Sequence, residues 1–157
     1  MLHTLIHRLN QVLIWLAGIT LCGMVLLSCA NMLLRIWGHP IKGTYEIMGF
    51  GGAVVAAFAL GTTQWQGGHI EVDLLASILP RRINRWLKLA AHLASTAFFG
   101  LISWRLLLLA LSLERSGEVS ETLHFPYYPA VLSVALGVFC LILVFLRQIL
   151  NLIQGRT

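Results

Sequence analysis

Charge is what this sequence has least of. Only 11% of its 157 residues are Asp, Glu, Lys or Arg, against about 25% in a soluble globular chain. So few charges cannot cover the surface of a water-soluble fold of this size, which excludes a soluble enzyme and a disordered tail. Acidic residues are the scarcest, six against eleven basic ones. All six lie at or outside the ends of the apolar runs, so no pair of carboxylates stands at membrane depth to build a proton relay. Cysteines number three (Cys22, Cys29 and Cys140), all inside apolar runs and none in a CxxC. That excludes a disulfide scaffold and argues against a thiol redox or metal site; the three read as small packing residues. Strand alternation at period two is missing, which argues against a barrel. No Ser/His/Asp set, zinc spacing or phosphate-binding glycine loop occurs, since neither Gly51-Gly52 nor Gly67-Gly68 is followed by Lys or Ser at the needed offset.

What the chain has is hydrophobic length: 58% of it is apolar, with a mean hydropathy of +0.83. A hydrocarbon core about 30 Å thick needs roughly 20 apolar residues in a helix. The stretches 9–34, 47–68, 89–113 and 122–146 meet that, and only the third holds a charge, Arg105. Backbone groups in lipid must pair within their own segment, so each run forms a helix. The expectation is an all-α integral membrane protein with one membrane domain over 1–157. Its transmembrane helices are expected near 11–35, 44–66, 86–112 and 127–150. Leu26-Leu27-Ser28-Cys29 is similar to a bacterial lipoprotein cleavage box. The apolar run continues past Cys29 through Leu34, however, and the segment is expected to stay a helix.

The net charge of +5 is spread between the apolar runs rather than gathered in a patch, so it sets orientation and does not bind nucleic acid. With both termini cytoplasmic, the inner side holds Arg8, the cluster Arg81, Arg82, Arg85 and Lys88, and then Arg147 and Arg156. The outer side holds Arg35, Lys42, Arg105 and Arg115, and its second connection carries Glu114, Glu118 and Glu121. In the inner connection, residues 70, 74, 75, 78 and 79 form an apolar face, and Asp73, Ser77 and Arg81 form a polar row. That pattern predicts a short interfacial helix near 70–79, flanked by His69 and stopped by Pro80.

Gly49, Ala53, Ala57 and Gly61 recur every four residues. Small side chains let helices approach closely where water supplies no hydrophobic drive. The row serves either packing inside this unit or docking of another membrane subunit, and spacing alone allows both. Arg35, Glu46 and Arg105 are candidate polar ties near the outer boundary, with Arg105 either snorkelling outward or pairing with Glu46. Trp15, Trp37, Trp65, Trp86, Tyr127 and Tyr128 mostly flank helix ends, as interfacial aromatics do. Bis-histidine haem ligation needs two histidines at one depth. His92 lies within a span, with His69 beside one, and a haem-bearing membrane anchor of an oxidoreductase is the alternative reading.

The segments around these features carry a family resemblance. Arg35 and Pro40-Ile41-Lys42-Gly43-Thr44-Tyr45-Glu46 precede the small-residue helix, which leads into Gly68-His69-Ile70-Glu71-Val72-Asp73-Leu74-Leu75. Gly117-Glu118-Val119-Ser120-Glu121-Thr122-Leu123-His124-Phe125-Pro126 opens the last helix. Over nearly its whole length the chain resembles the small, Q-type (DctQ-like) membrane subunit of tripartite ATP-independent periplasmic (TRAP) transporters. The resemblance implies a multi-pass protein of the bacterial inner membrane, a non-enzyme with no cofactor or metal of its own. It implies two partners: a periplasmic binding protein that captures a carboxylate substrate, and a large membrane subunit that carries substrate and coupling sodium by an elevator motion. The small subunit would widen the fixed scaffold. On that footing Gly49, Ala53, Ala57 and Gly61 are the packing row, and Arg35, Glu46 and Arg105 the outer ties. Around the interfacial helix, Arg81, Arg82 and Arg85 then help fix membrane depth, His69 and Asp73 belong to the helix that adds breadth, and Glu118, Glu121 and His124 meet the binding protein.

Overall fold

The computed structural model describes residues 2–66 and 80–154. Among them are four helices: α1 (Leu2–Ile36), α2 (Thr44–Trp65), α3 (Arg81–Ser116) and α4 (Tyr128–Ile153). All four are long and apolar enough to cross a membrane. The helix expected near 70–79, with His69 and Asp73, lies outside the described residues.

The helix ends follow local chemistry rather than the edges of the apolar runs. At 35 and 36 residues, α1 and α3 are each about 50 Å long, well beyond a hydrocarbon core of about 30 Å. Helical hydrogen bonding continues into polar residues until something stops it. For α3 the start is Pro80, whose carbonyl accepts the N–H groups of Ile83 and Asn84 at 2.9 and 3.2 Å. Its stop is Gly117, in the left-handed region at φ 66, with its N–H on the Leu113 carbonyl at 3.1 Å. This is why α3 begins five residues before the expected 86 and ends four after 112. The hydroxyls of Thr20, Thr63, Thr96 and Ser133 donate to carbonyls one turn back, at 2.7–3.0 Å. Each polar group is thereby satisfied inside its own span.

The helices pack as a row. α3 lies on α4, α4 on α2 and α2 on α1, with only a slender contact between α1 and α4. α4 has neighbours on both flanks and supplies most of the core: Ala135, Val138, Cys140, Leu141, Val144, Phe145 and Ile149 are buried. α1 and α3 form the edges and expose Trp15, Ile19, Leu26, Met32, Phe98, Leu101 and Trp104. In water such a layer would close on itself to hide these faces. In lipid no such drive acts between helices, and an open layer is a stable arrangement.

Candidate functional site

The layer has a loop end, carrying the connections 37–43 and 117–127, and a terminal end, where α1 starts and α4 finishes. Polar side chains concentrate at both.

At the loop end, α2 opens after Gly43, whose φ of 78 lies in the left-handed region. A side chain there would collide with Leu123 of the other connection. Glu46, in the first turn, accepts the backbone N–H groups of Thr122 and Leu123 at 2.8 and 3.1 Å. The connection beyond it is closed on itself by an isolated bridge between Val119 and Pro126. Ser120 is 1% exposed. Glu118, Glu121 and His124 are all exposed. The first connection is tied down as well, through the Ile41 N–H to the Asn31 Oδ1 at 2.8 Å. Arg35 is exposed at the rim of an open pocket that Asn31, Ile41, Glu46 and Thr122 also line.

Of the two alternatives for Arg105, the pairing with Glu46 is not seen, and Glu46 holds the Thr122 and Leu123 amides instead. Arg105 is exposed on α3, and α4 stands between α3 and α2. Reading depth from sequence brought the two residues to one level but not to one side of the layer.

The small-residue row divides. Ala57 and Gly61 are buried, whereas Gly49 and Ala53 are exposed. A step of four residues turns about 40° further round the helix, so such a row winds from one face to the next. Its buried half is a crossing point. A Cβ on Gly137 of α4 would lie 2.6 Å from the Ala57 carbonyl oxygen, so the two backbones touch without side chains between them. A Cβ on Gly61 would strike the Asn10 Oδ1. Of the cysteines, Cys140 is a buried packing residue, while Cys22 and Cys29 are exposed on α1.

The terminal end holds a set of ties that sequence reasoning missed. The Gln64 Nε2 donates to the Gln148 Oε1 at 2.7 Å, and the Gln148 Nε2 donates to the Gln64 carbonyl at 3.2 Å. Beside this clasp, the Arg147 guanidinium lies 3.7 Å from the centroid of the Trp65 ring. His7 of α1 meets the same ring at 5.4 Å between centroids. α1 is bound in further by Thr62, whose hydroxyl donates to the Asn10 carbonyl at 3.3 Å. The Asn10 amide donates to the Ile6 carbonyl at 3.0 Å. Its Oδ1 has no hydrogen-bond partner and sits against Gly61. Arg85 closes the other flank by donating to the Leu152 and Ile153 carbonyls at 2.6 and 3.0 Å. Those carbonyls belong to the last turn of α4, where backbone acceptors lack helical partners. The available signal was the set Asn10, Gln64 and Gln148, amides inside otherwise apolar helices, where polar groups seek one another.

His92, the candidate haem ligand, is half-buried in α3. Its Nδ1 lies 2.7 Å from the Lys88 carbonyl of its own helix, and its ring meets Phe145 edge-on at 5.9 Å. Among the described residues no group of three His, Cys, Asp or Glu side chains is placed to hold a metal.

No curated protein and no solved structure matches the chain. Residues 24–155 match the family model of the DctQ component of tripartite ATP-independent periplasmic transporters. That match covers all of α2, α3 and α4, and gives no support to the haem alternative. The chain, a multi-pass membrane protein and not an enzyme, therefore belongs to the DctQ component family of TRAP transporters.

Proposed function

We propose that this subunit is the passive scaffold of a sodium-coupled TRAP transporter of the bacterial inner membrane, importing a carboxylate substrate such as a C4-dicarboxylate, sialic acid or another sugar acid. The large membrane subunit holds substrate and sodium, and the periplasmic binding protein delivers the cargo. The observation that carries this reading is the open row of helices, α1–α2–α4–α3, tied at both ends. A broad layer with fixed ends resists shear, which is what a neighbour sliding vertically demands of its support.

In this reading the terminal end faces the cytoplasm, because the basic cluster of 81, 82, 85 and 88 lies there. Arg81, Arg82 and Arg85, at the cytoplasmic interface, help fix the depth of the layer. The loop end faces the periplasm, with Glu118, Glu121 and His124 toward the binding protein. The exposed half of the small-residue row, Gly49 and Ala53, is open to close approach by a helix of the large subunit.

The test is reconstitution. An affinity-tagged copy purified in mild detergent is expected to bring the large subunit with it. Vesicles holding both, supplied with the binding protein and a sodium gradient, are expected to take up a carboxylate, while vesicles holding this chain alone take up none. Uptake by the chain alone would overturn the proposal.

A further inference from the structure

The connection 117–127 is built more tightly than a surface loop requires. The Ser120 N–H donates to the Phe125 carbonyl at 2.9 Å, and the His124 N–H to the Ser120 carbonyl at 3.1 Å. The Ser120 hydroxyl accepts the Phe125 N–H at 3.2 Å. His124 takes a left-handed backbone at φ 52, which a non-glycine residue keeps only where its surroundings hold it. These bonds close the turn on itself. Two sets of contacts hold it to α2: the Phe50 ring meets those of Phe125 and Tyr127 at 6.3 and 5.4 Å between centroids, and the two carboxylate oxygens of Glu46 divide the N–H groups of Thr122 and Leu123 between them. Leu123 then closes over Gly43. Both bonds are charge-assisted, and the carboxylate also stands at the start of α2, where a helix favours negative charge.

We infer that Glu46 is a positioning residue: it clamps the connection 117–127 to α2 in one conformation, so that Glu118, Glu121 and His124 form a preformed face for a basic patch on the exported binding protein. This deepens the docking role proposed above and rests on it. Thr122 and Leu123, whose amides Glu46 holds, lie between Glu121 and His124 in sequence, so the clamp acts where the docking side chains are mounted. A loose connection is competent for only a fraction of the time, and the apparent affinity of its partner falls by that fraction.

The test uses the complex of this chain with its large subunit in nanodiscs, titrated with the transporter's own purified binding protein. Hydrogen exchange at the Thr122 and Leu123 amides is followed in parallel. Glu46→Gln keeps the shape of the side chain and loses the charge and one acceptor. It is expected to speed exchange at both amides and to raise the dissociation constant for the binding protein about tenfold, with recovery of the membrane complex unchanged. Glu46→Asp keeps the charge and withdraws the oxygens, and carries the same expectation should Glu46→Gln fail to assemble. The double variant Glu118→Lys with Glu121→Lys is expected to weaken binding while leaving exchange at Thr122 and Leu123 as in the wild type. If that double variant binds weakly but the Glu46 variants keep wild-type exchange or wild-type affinity, the positioning role is overturned. If the double variant binds normally, the docking reading beneath it fails instead.

Discussion

Gly137 has no room for a side chain. The Ala57 carbonyl oxygen lies 2.6 Å from where a Cβ of residue 137 would be, and backbone cannot move aside as a flexible side chain can. Gly137→Ala is expected to destabilise the isolated subunit by about 1–3 kcal/mol, the usual cost of overpacking, read as a lower unfolding midpoint in detergent. Gly49→Ala is the control: a Cβ there meets nothing within 4 Å, and its effect on the same midpoint should stay within about 0.5 kcal/mol. The i+4 spacing of small residues was legible in the sequence. Which half of the row lies inside was not, because that depends on Gly137, eighty residues after Ala57. Glu46 gives the same lesson. Its depth was legible, but its partners are backbone amides of a turn, and a backbone N–H has no sequence signature. A charge swap of Glu46 and Arg105 should therefore recover nothing that either single reversal loses. Measured as a double-mutant cycle on stability, the coupling should fall within the scatter of about 0.3–0.5 kcal/mol seen for independent sites.

At the scale of the helices, the spans were legible because physics allows little else: an apolar run of this length in lipid must be a helix. α2 lies within one residue of the expected 44–66. The order of the helices in the layer was not legible. A lipid-facing side chain and a helix-facing one are both apolar, so periodicity does not separate them as it does in water. What selects the neighbours is a small number of specific contacts, and the Gln64–Gln148 clasp between α2 and α4 is the clearest. Gln64→Ala and Gln148→Ala should each destabilise the packing. Because both remove the same pair of bonds, their effects should be less than additive, by about 0.6 kcal/mol and at most roughly 1.7. Unfolding of the two single variants and the double variant in detergent would measure this; strict additivity would mean that the clasp contributes nothing to helix pairing.

For the whole molecule, the two ends of the layer differ in kind. The terminal end gathers Arg8, Arg85, Lys88 and Arg147, while the loop end carries Glu46, Glu114, Glu118 and Glu121 beside its own basic residues. A chain inserting in a membrane reads the positive charges, and the denser basic cluster stays in the cytoplasm. In the proposed topology, the assignment places the terminal end, with its amide clasp and arginine cap, on the cytoplasmic side, and the clamped connection in the periplasm. The assignment decides whether the proposed docking face is available to an exported protein at all. Cysteine accessibility checks it, with Cys22, Cys29 and Cys140 first replaced by Ser. A single cysteine at the exposed position His124 should react with a membrane-impermeant maleimide in cells whose inner membrane is intact. One at Gln154, also exposed, should react only after that membrane is permeabilised. The reverse pattern would turn the acidic connection toward the cytoplasm, out of reach of any periplasmic partner, and the layer would then serve as a scaffold without a docking role.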